Sequence, residues 1–242
     1  MPNHVTIDAT LKGRTVRRDE VLAWEARRLT SAARKIKLPI PSGDLAQQKA
    51  AFADSKLSLG PDKIRRRLAT DLRVADAIAR TTTRLSFGRR ATSVCDLHVR
   101  GGSAREFVDW FTDITRDDYA RSMIAAHPDH FLIDTALDGT QEVIETTGGS
   151  PAATQFFVDY DDTSPLVTPR DPAFPVEAAG VARTAAGLAI GGVRHEFRDE
   201  PGGFHARLCV EFPLLTVPHL LDQHRWHLAC EFSNWIEAAL QT

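Results

Sequence analysis

From Asp19 to Lys37 apolar residues recur every three or four positions, at Leu22, Ala26, Leu29, Ala33 and Ile36, and the run stops before Pro39 and Pro41. That spacing collects them on one side of an α-helix and predicts a first amphipathic helix. A second is predicted from Pro61, a residue suited to a first helical turn, with Ile64, Leu68, Leu72, Ala75 and Ala79 along one face. Between them Asp44 to Asp54 is a shorter helix candidate. Such helices cannot bury their stripes alone. Residues 1–90 are therefore expected to form a helical region that packs on the rest of the chain or on a second copy, and a homodimer is the expected assembly.

After Arg90 the periodicity changes. Thr92 to Val99 reads as a strand, Gly101 and Gly102 as a turn, and Ser103 as the cap of a helix with Glu106 three residues on. Phe107, Trp110, Phe111 and Ile114 give that helix an aromatic face, and another helix is predicted over Asp117 to Ala126. Strands follow at His130 to Ala136, Glu142 to Thr146, Thr154 to Tyr160, Val193 to Arg198 and Phe204 to Phe212, the last two flanking the hairpin sequence DEPGG. The proline-rich segment from Ser164 to Glu177 reads as a loop. Pro218 opens a long final helix to about Leu240. Residues 91–242 are thus expected to be an α+β domain whose curved, mainly antiparallel sheet wraps the last helix, with a cavity between them and the 164–177 loop over it.

Composition narrows the chemistry. The three cysteines, Cys95, Cys209 and Cys230, form no CxxC pair, which argues against a disulfide framework and a thiolate metal site. Any metal would use nitrogen and oxygen, and nine histidines supply the nitrogen. No apolar run approaches the roughly 20 residues that cross a bilayer, and the first residues lack the pattern of a secretory leader. A cytoplasmic protein without a membrane partner is the expectation. Lys and Arg outnumber Asp and Glu about two to one over residues 1–105, and the balance more than reverses afterwards. The basic residues, such as Arg65, Arg66 and Arg67, have no aromatics between them. Solvated helix faces or attraction between two parts of an assembly explain them better than a nucleic-acid footprint.

On the final helix, Leu220, His224, His227, Glu231 and Asn234 share one stripe, and Leu221, Leu228, Phe232, Trp235 and Ala239 the neighbouring one. The second stripe suits packing on a sheet. The first points polar groups inward, which is costly unless each finds a partner. A polar cavity or a metal ion would supply partners, and His227 with Glu231, four residues apart, can reach one ion from one helix.

Three segments carry a resemblance. They are HLACEFSNW from His227, VIETTGG from Val143, and AAHPDHF, which contains His127 and His130. From about Val94 onward the chain resembles the 2,4-diacetylphloroglucinol hydrolase and phloretin hydrolase family of zinc-dependent carbon–carbon bond hydrolases. The resemblance implies a helix-grip, START-like fold preceded by a smaller dimerising region. It also implies Zn2+ held by His130, Glu145, His227 and Glu231, with His127 the alternative to His130 because this HPDH is one residue tighter than the family's spacing. The implied reaction is hydrolysis of a carbon–carbon bond in an acylated phenol or β-diketone-like polyketide. Tyr119 and Tyr160 are the only tyrosines available to hold substrate oxygens. His224 is a candidate acid or ligand-orienting group, His127 a further catalytic candidate, and Asn234 a candidate to orient a ligand or substrate. A metal-free binder or polyketide cyclase is the alternative reading of the same architecture, and a nucleic-acid-binding or regulatory protein a more distant one.

Overall fold

A computed structural model describes residues 5–136 and 139–240. In chain order its elements are β1 (Thr6–Leu11), β2 (Arg14–Arg17), α1 (Arg18–Lys35), α2 (Leu45–Leu59), α3 (Pro61–Ser86), β3 (Arg90–Arg100), α4 (Ala104–Thr112), α5 (Tyr119–Ala125), β4 (His130–Thr135), β5 (Gln141–Glu145), β6 (Thr154–Asp159), β7 (Val176–Arg183), β8 (Ala189–Glu200), β9 (Gly203–Pro213) and α6 (Pro218–Leu240). Among the described residues every strand belongs to one open sheet in the order β2-β1-β3-β9-β8-β7-β6-β5-β4, and each neighbouring pair is antiparallel. The class is α+β. Among the described residues no helix is long and apolar enough to cross a membrane.

Local chemistry explains the helix starts. Asp44 accepts from the Gln47 amide at 2.9 Å while the Gln47 side chain accepts from the Asp44 amide at 3.1 Å, and Ser103 Oγ accepts from the Glu106 amide at 3.2 Å. The aromatic face of α4 is a core face. Phe107 lies 5.5 to 6.2 Å from Phe197, Phe204 and Phe232, joining α4 and α6 to the inner side of the sheet. Each such buried ring contributes about 1.5–3 kcal/mol.

One hairpin and one further strand were not anticipated. In β1 the residues Ile7, Ala9 and Leu11 are buried alternately, and Lys12 (φ 51) and Gly13 (φ 76) make a two-residue turn into β2. Residues 1–90 are therefore not only helical, since they supply two strands to the same sheet as β3. The other is β7, where Ala and Gly replace the usual strand residues. A Cβ on Gly180 would stand 2.6 Å from Asp159 O, and one on Gly192 2.6 Å from Gly180 O, so the strands approach too closely there for side chains.

The 164–177 segment does not cover the cavity, and β7 begins within it at Val176. Its backbone amides at Val167 and Asp171 donate to Glu211 and Glu196 at 2.9 and 2.6 Å, and Thr168 O accepts from Arg194 at 3.0 Å. Glu196 and Arg194 alternate with inward-facing His195, which packs on Phe232. The segment therefore lies on the face turned away from α6. Its carboxylate and guanidinium partners could not be read as loop anchors from periodicity alone.

Helices α1 to α3 pack over β4 and β5, where Leu29, Ile36, Phe52, Ile64 and Leu68 share a core with Phe131, Leu132 and Ile144. On α1 the buried face runs through Val21, Trp24, Glu25, Leu29 and Ala32, one step round from the predicted stripe, and leaves Ala26 exposed. The charge asymmetry is partly satisfied within the chain, as basic residues of the front half pair with acidic residues of the back. Arg18 meets Glu237 at 2.6 Å, Arg28 meets Asp129 at 2.8 Å and Arg65 meets Glu142 at 2.6 Å.

Candidate metal centre

His227 and Glu231 lie one turn apart on α6 and project to the same side. His130 opens β4 directly across from Glu145, the last residue of β5. Pairing then jumps to Leu132 opposite Ile144, and this bulge sends Phe131 into the helix-side core while His130 reaches toward α6. After Glu145 the chain makes a single 3₁₀ turn, Thr147–Gly149, against α6. A Cβ on Gly148 (φ 56) would meet His224 N at 2.8 Å and Leu220 O at 2.9 Å. The glycine is what lets the end of β5 lie flush on α6, and that contact carries Glu145 to His227.

Four side-chain atoms converge as a result. His130 Nε2 is 3.0 Å from Glu231 Oε2, 3.2 Å from His227 Nε2 and 3.7 Å from Glu145 Oε2. His227 Nε2 is 3.6 Å from Glu145 Oε2 and 3.7 Å from Glu231 Oε2. Ligand atoms around a tetrahedral zinc with bonds of about 2.0–2.1 Å lie about 3.3–3.4 Å apart, so these separations bracket the edge such a site requires. His127, His130 and His227 also form a buried group whose ring nitrogens lie within 4.8 Å of one another and could hold a metal ion.

No protein-family model matches this chain, and no curated protein does.

The two candidate histidines of the HPDH segment differ in their hydrogen bonds. His130 Nδ1 lies 3.0 Å from Met123 O, which can only accept, so Nδ1 carries a proton and Nε2 is the atom turned to the cluster, where it can hold either a second proton or a metal ion. His127 Nδ1 accepts from the Asp129 amide at 3.0 Å, which in the neutral ring leaves the proton on Nε2. Burial, followed by the charges of His227, His130, Lys56 and Arg28, holds His127 well below its ordinary pKa and keeps it neutral. Its ring stacks on His227 at 3.7 Å with 16° between planes. His127 Nε2 itself is buried with no hydrogen-bond partner among the described residues.

The segment is held from several sides. Lys56, 2% exposed, donates to the carbonyls of Ile124, His127, Pro128 and His130 at 3.1, 3.2, 3.2 and 2.7 Å. Burial, partly opposed by Asp129 and Glu25, pushes its pKa down to about 7. Arg28 grips both oxygens of buried Asp129 at 2.8 Å, and Thr146 donates to the same carboxylate. Burial opposes a charge on His227, but Glu145 and Glu231 outweigh it and raise the pKa to about 9. Burial likewise opposes the Glu231 carboxylate, yet hydrogen bonds and charge from His130 and His227 hold it well below the usual range. The cluster is organised around negative charge that calls for a cation, either a proton on His227 or a metal ion.

The four atoms border a cavity of about 510 Å³ whose walls are mainly apolar, among them Ile133, Val143, Phe156 and Val158. A separate cleft of about 400 Å³ between Trp24, Arg28 and Trp226 is not lined by any of the four. Of the other expected residues, His224 lines the main cavity, is neutral through burial and nearby His227, and pairs through Nδ1 with Ser93 Oγ at 3.0 Å. Tyr119 and Tyr160 meet at Gln141, whose amide donates to Tyr119 Oη at 3.0 Å and accepts from Tyr160 at 3.5 Å.

Asn234 does not face the cavity. Its carbonyl accepts from Arg18 at 2.5 Å and Lys49 at 2.8 Å, and its amide donates to Glu25 at 2.9 Å and Ala126 O at 2.7 Å, leaving nothing for a ligand. A helix turns about 100° per residue, so the row through His227 and Glu231 continues at Trp235, which does line the cavity. Asn234 instead secures the carbonyl just before His127.

His195 on β8 was missed. It is 5% exposed, borders the cavity, and its Nδ1 has no partner among the described residues. Burial, opposed by Glu231, lowers its pKa to about 4, so it is neutral. The sequence signal was a polar residue at an inward position of an alternating strand, which resembles a satisfied core histidine until the cavity is seen.

Proposed function

We propose that this chain is a divalent-metal-dependent hydrolase of helix-grip, START-like type that cleaves a carbon–carbon bond beside a ketone in an acylated phenol or β-diketone-like polyketide. The observation that carries the reading is the convergence of two imidazole nitrogens and two carboxylate oxygens at one end of an apolar cavity. The donors suit zinc, with His130, Glu145, His227 and Glu231 holding the ion. When bound, it would supply Lewis acidity and make water a better nucleophile near neutral pH.

The protein's residues support the remaining requirements. Apolar walls bind the body of the substrate and exclude water. Tyr160 lines the cavity and reaches Gln141 only at 3.5 Å, so its hydroxyl offers a polar point for a phenolic or ketonic oxygen. Burial, with the charges of Tyr119 and Glu231, keeps the Tyr160 hydroxyl protonated, hence a donor. Neutral His195 presents an unpartnered nitrogen able to hold a substrate oxygen or its proton. In the reaction, water gives hydroxide to the acyl carbon and a proton to the departing carbon, whose electron pair is stabilised as the enolate of the second ketone. The helical region is the natural surface for the homodimer, which sedimentation would reveal as twice the chain mass.

Protein purified without added metal is expected to contain zinc, to release a carboxylic acid from acylated phloroglucinols, and to lose both properties in His227→Ala and Glu231→Ala. Metal content unchanged in both variants would overturn the metal assignment. Tight ketone binding without acid release would instead make the chain a binder.

A further inference from the structure

The face of the sheet turned away from α6 carries a second group of metal-binding donors. His98 on β3 and His205 on β9 are direct cross-strand partners, and Glu200 ends β8 beside them. His98 Nδ1 is 3.4 Å from Glu200 Oε2, and His205 Nδ1 is 3.7 Å from Glu200 Oε1. One donor atom from each of the three lies within 4.8 Å of the others. The two rings stack at 4.4 Å with 23° between planes.

The orientation of His205 points to a ligand. Its Nε2 lies 2.9 Å from Asp96 Oδ1, a carboxylate that can only accept, so Nε2–H donates to it, as behind many metal-binding histidines. In the neutral ring Nδ1 then carries the lone pair, on a residue only 8% exposed, with no hydrogen-bond partner among the described residues, aimed at the Glu200 carboxylate. A carboxylate oxygen and an imidazole lone pair do not face one another to advantage unless a cation joins them. Arg198 holds Glu200 Oε1 at 3.1 Å, and the edge of Phe174 closes one side of His205 at 5.1 Å. The His98 side chain is half exposed, so water can complete the coordination.

We propose that His98, Glu200 and His205 bind a second divalent transition-metal ion such as Zn2+, with Asp96 orienting His205, at a site independent of the centre on α6. The two imidazoles select such ions over magnesium and calcium. The ion bridges β3, β8 and β9 at the end where the DEPGG hairpin turns.

The test is calorimetric titration of chelator-treated full-length protein with Zn2+, comparing the native chain with His98→Ala, Glu200→Gln and His227→Ala. The native chain takes up one equivalent more than His98→Ala or Glu200→Gln, and Asp96→Ala weakens that equivalent by about 10- to 100-fold. His227→Ala loses a different equivalent, so failure of either site is read separately. On the native chain, ¹H–¹⁵N spectra of the imidazoles show zinc moving the Nδ1 resonances of His98 and His205 while His205 keeps its proton on Nε2. Equal stoichiometry in the native chain, His98→Ala and Glu200→Gln overturns the proposal, as do imidazole resonances of His98 and His205 that zinc leaves in place.

Discussion

Opposite faces of one sheet present two histidine–carboxylate groups, and their surroundings differ more than their donors do. On the inner face the His130 and His227 side chains are 1% exposed, and Arg28, Lys56, Asp129 and stacked His127 fix the segment before β4. On the outer face His98 is half exposed and one carboxylate, Asp96, orients one ring. A donor set becomes a centre for chemistry when neighbouring groups deny it alternatives and a cavity brings substrate to it. The outer group lacks the cavity and most of the clamps, so it suits ion binding and strand tethering only.

The contrast should break first at the clamp. Lys56→Met would remove the buried donor that four carbonyls share, of which His127 O keeps the His130 amide, so a loss of about 3 kcal/mol in urea unfolding is expected, with weaker zinc uptake at the inner centre and none of that loss at the outer one. A smaller cost, about 2 kcal/mol, is expected for Gly148→Ala, since it strains a positive φ and pushes the end of β5 off α6. Its signature is reduced inner-site affinity with outer-site affinity retained.

The inner cluster should also leave a pH signature in metal-free protein. His227 carries its proton up to about pH 9 when folded, against an ordinary 6.5. The folded state then binds more protons than the unfolded state in that window, so the stabilisation is complete below about pH 6.5 and lost as pH rises through about 9. The difference in unfolding midpoint between the native chain and His227→Gln is expected to shrink across that range, and a constant difference would contradict the pairing. The smallest effect belongs outside. In zinc-free buffer His98→Ala should change stability by less than about 0.5 kcal/mol, as for an ordinary surface substitution.

Much of the frame was legible because periodicity and caps agreed. Pro218 and the apolar stripe through Leu228, Phe232 and Trp235 defined α6, Ser103 marked the start of α4, and DEPGG marked the last hairpin. The hairpin of β1 and β2 was hidden because Lys-Gly forms its turn in place of Asn-Gly, and β7 because close strand approach selects Ala and Gly over β-branched residues. At the site, His227 and Glu231 were visible as a polar row on an otherwise packed helix, and the Gly pair after Glu145 marked the close approach. Asn234 misled because a step of three drifts off the row that a step of four maintains. Lys56, Asp129 and His195 were invisible for another reason. Their roles depend on carbonyls and cavities assembled from distant segments, and no local pattern records that.

The most direct test of the inner centre is an anomalous difference map recorded at the zinc edge from crystals of zinc-saturated protein. The expected result is a peak bonded at about 2.0–2.2 Å to His130 Nε2, His227 Nε2 and carboxylate oxygens of Glu145 and Glu231. A peak held by His127 in place of His130, or no peak between β4, β5 and α6, would contradict it.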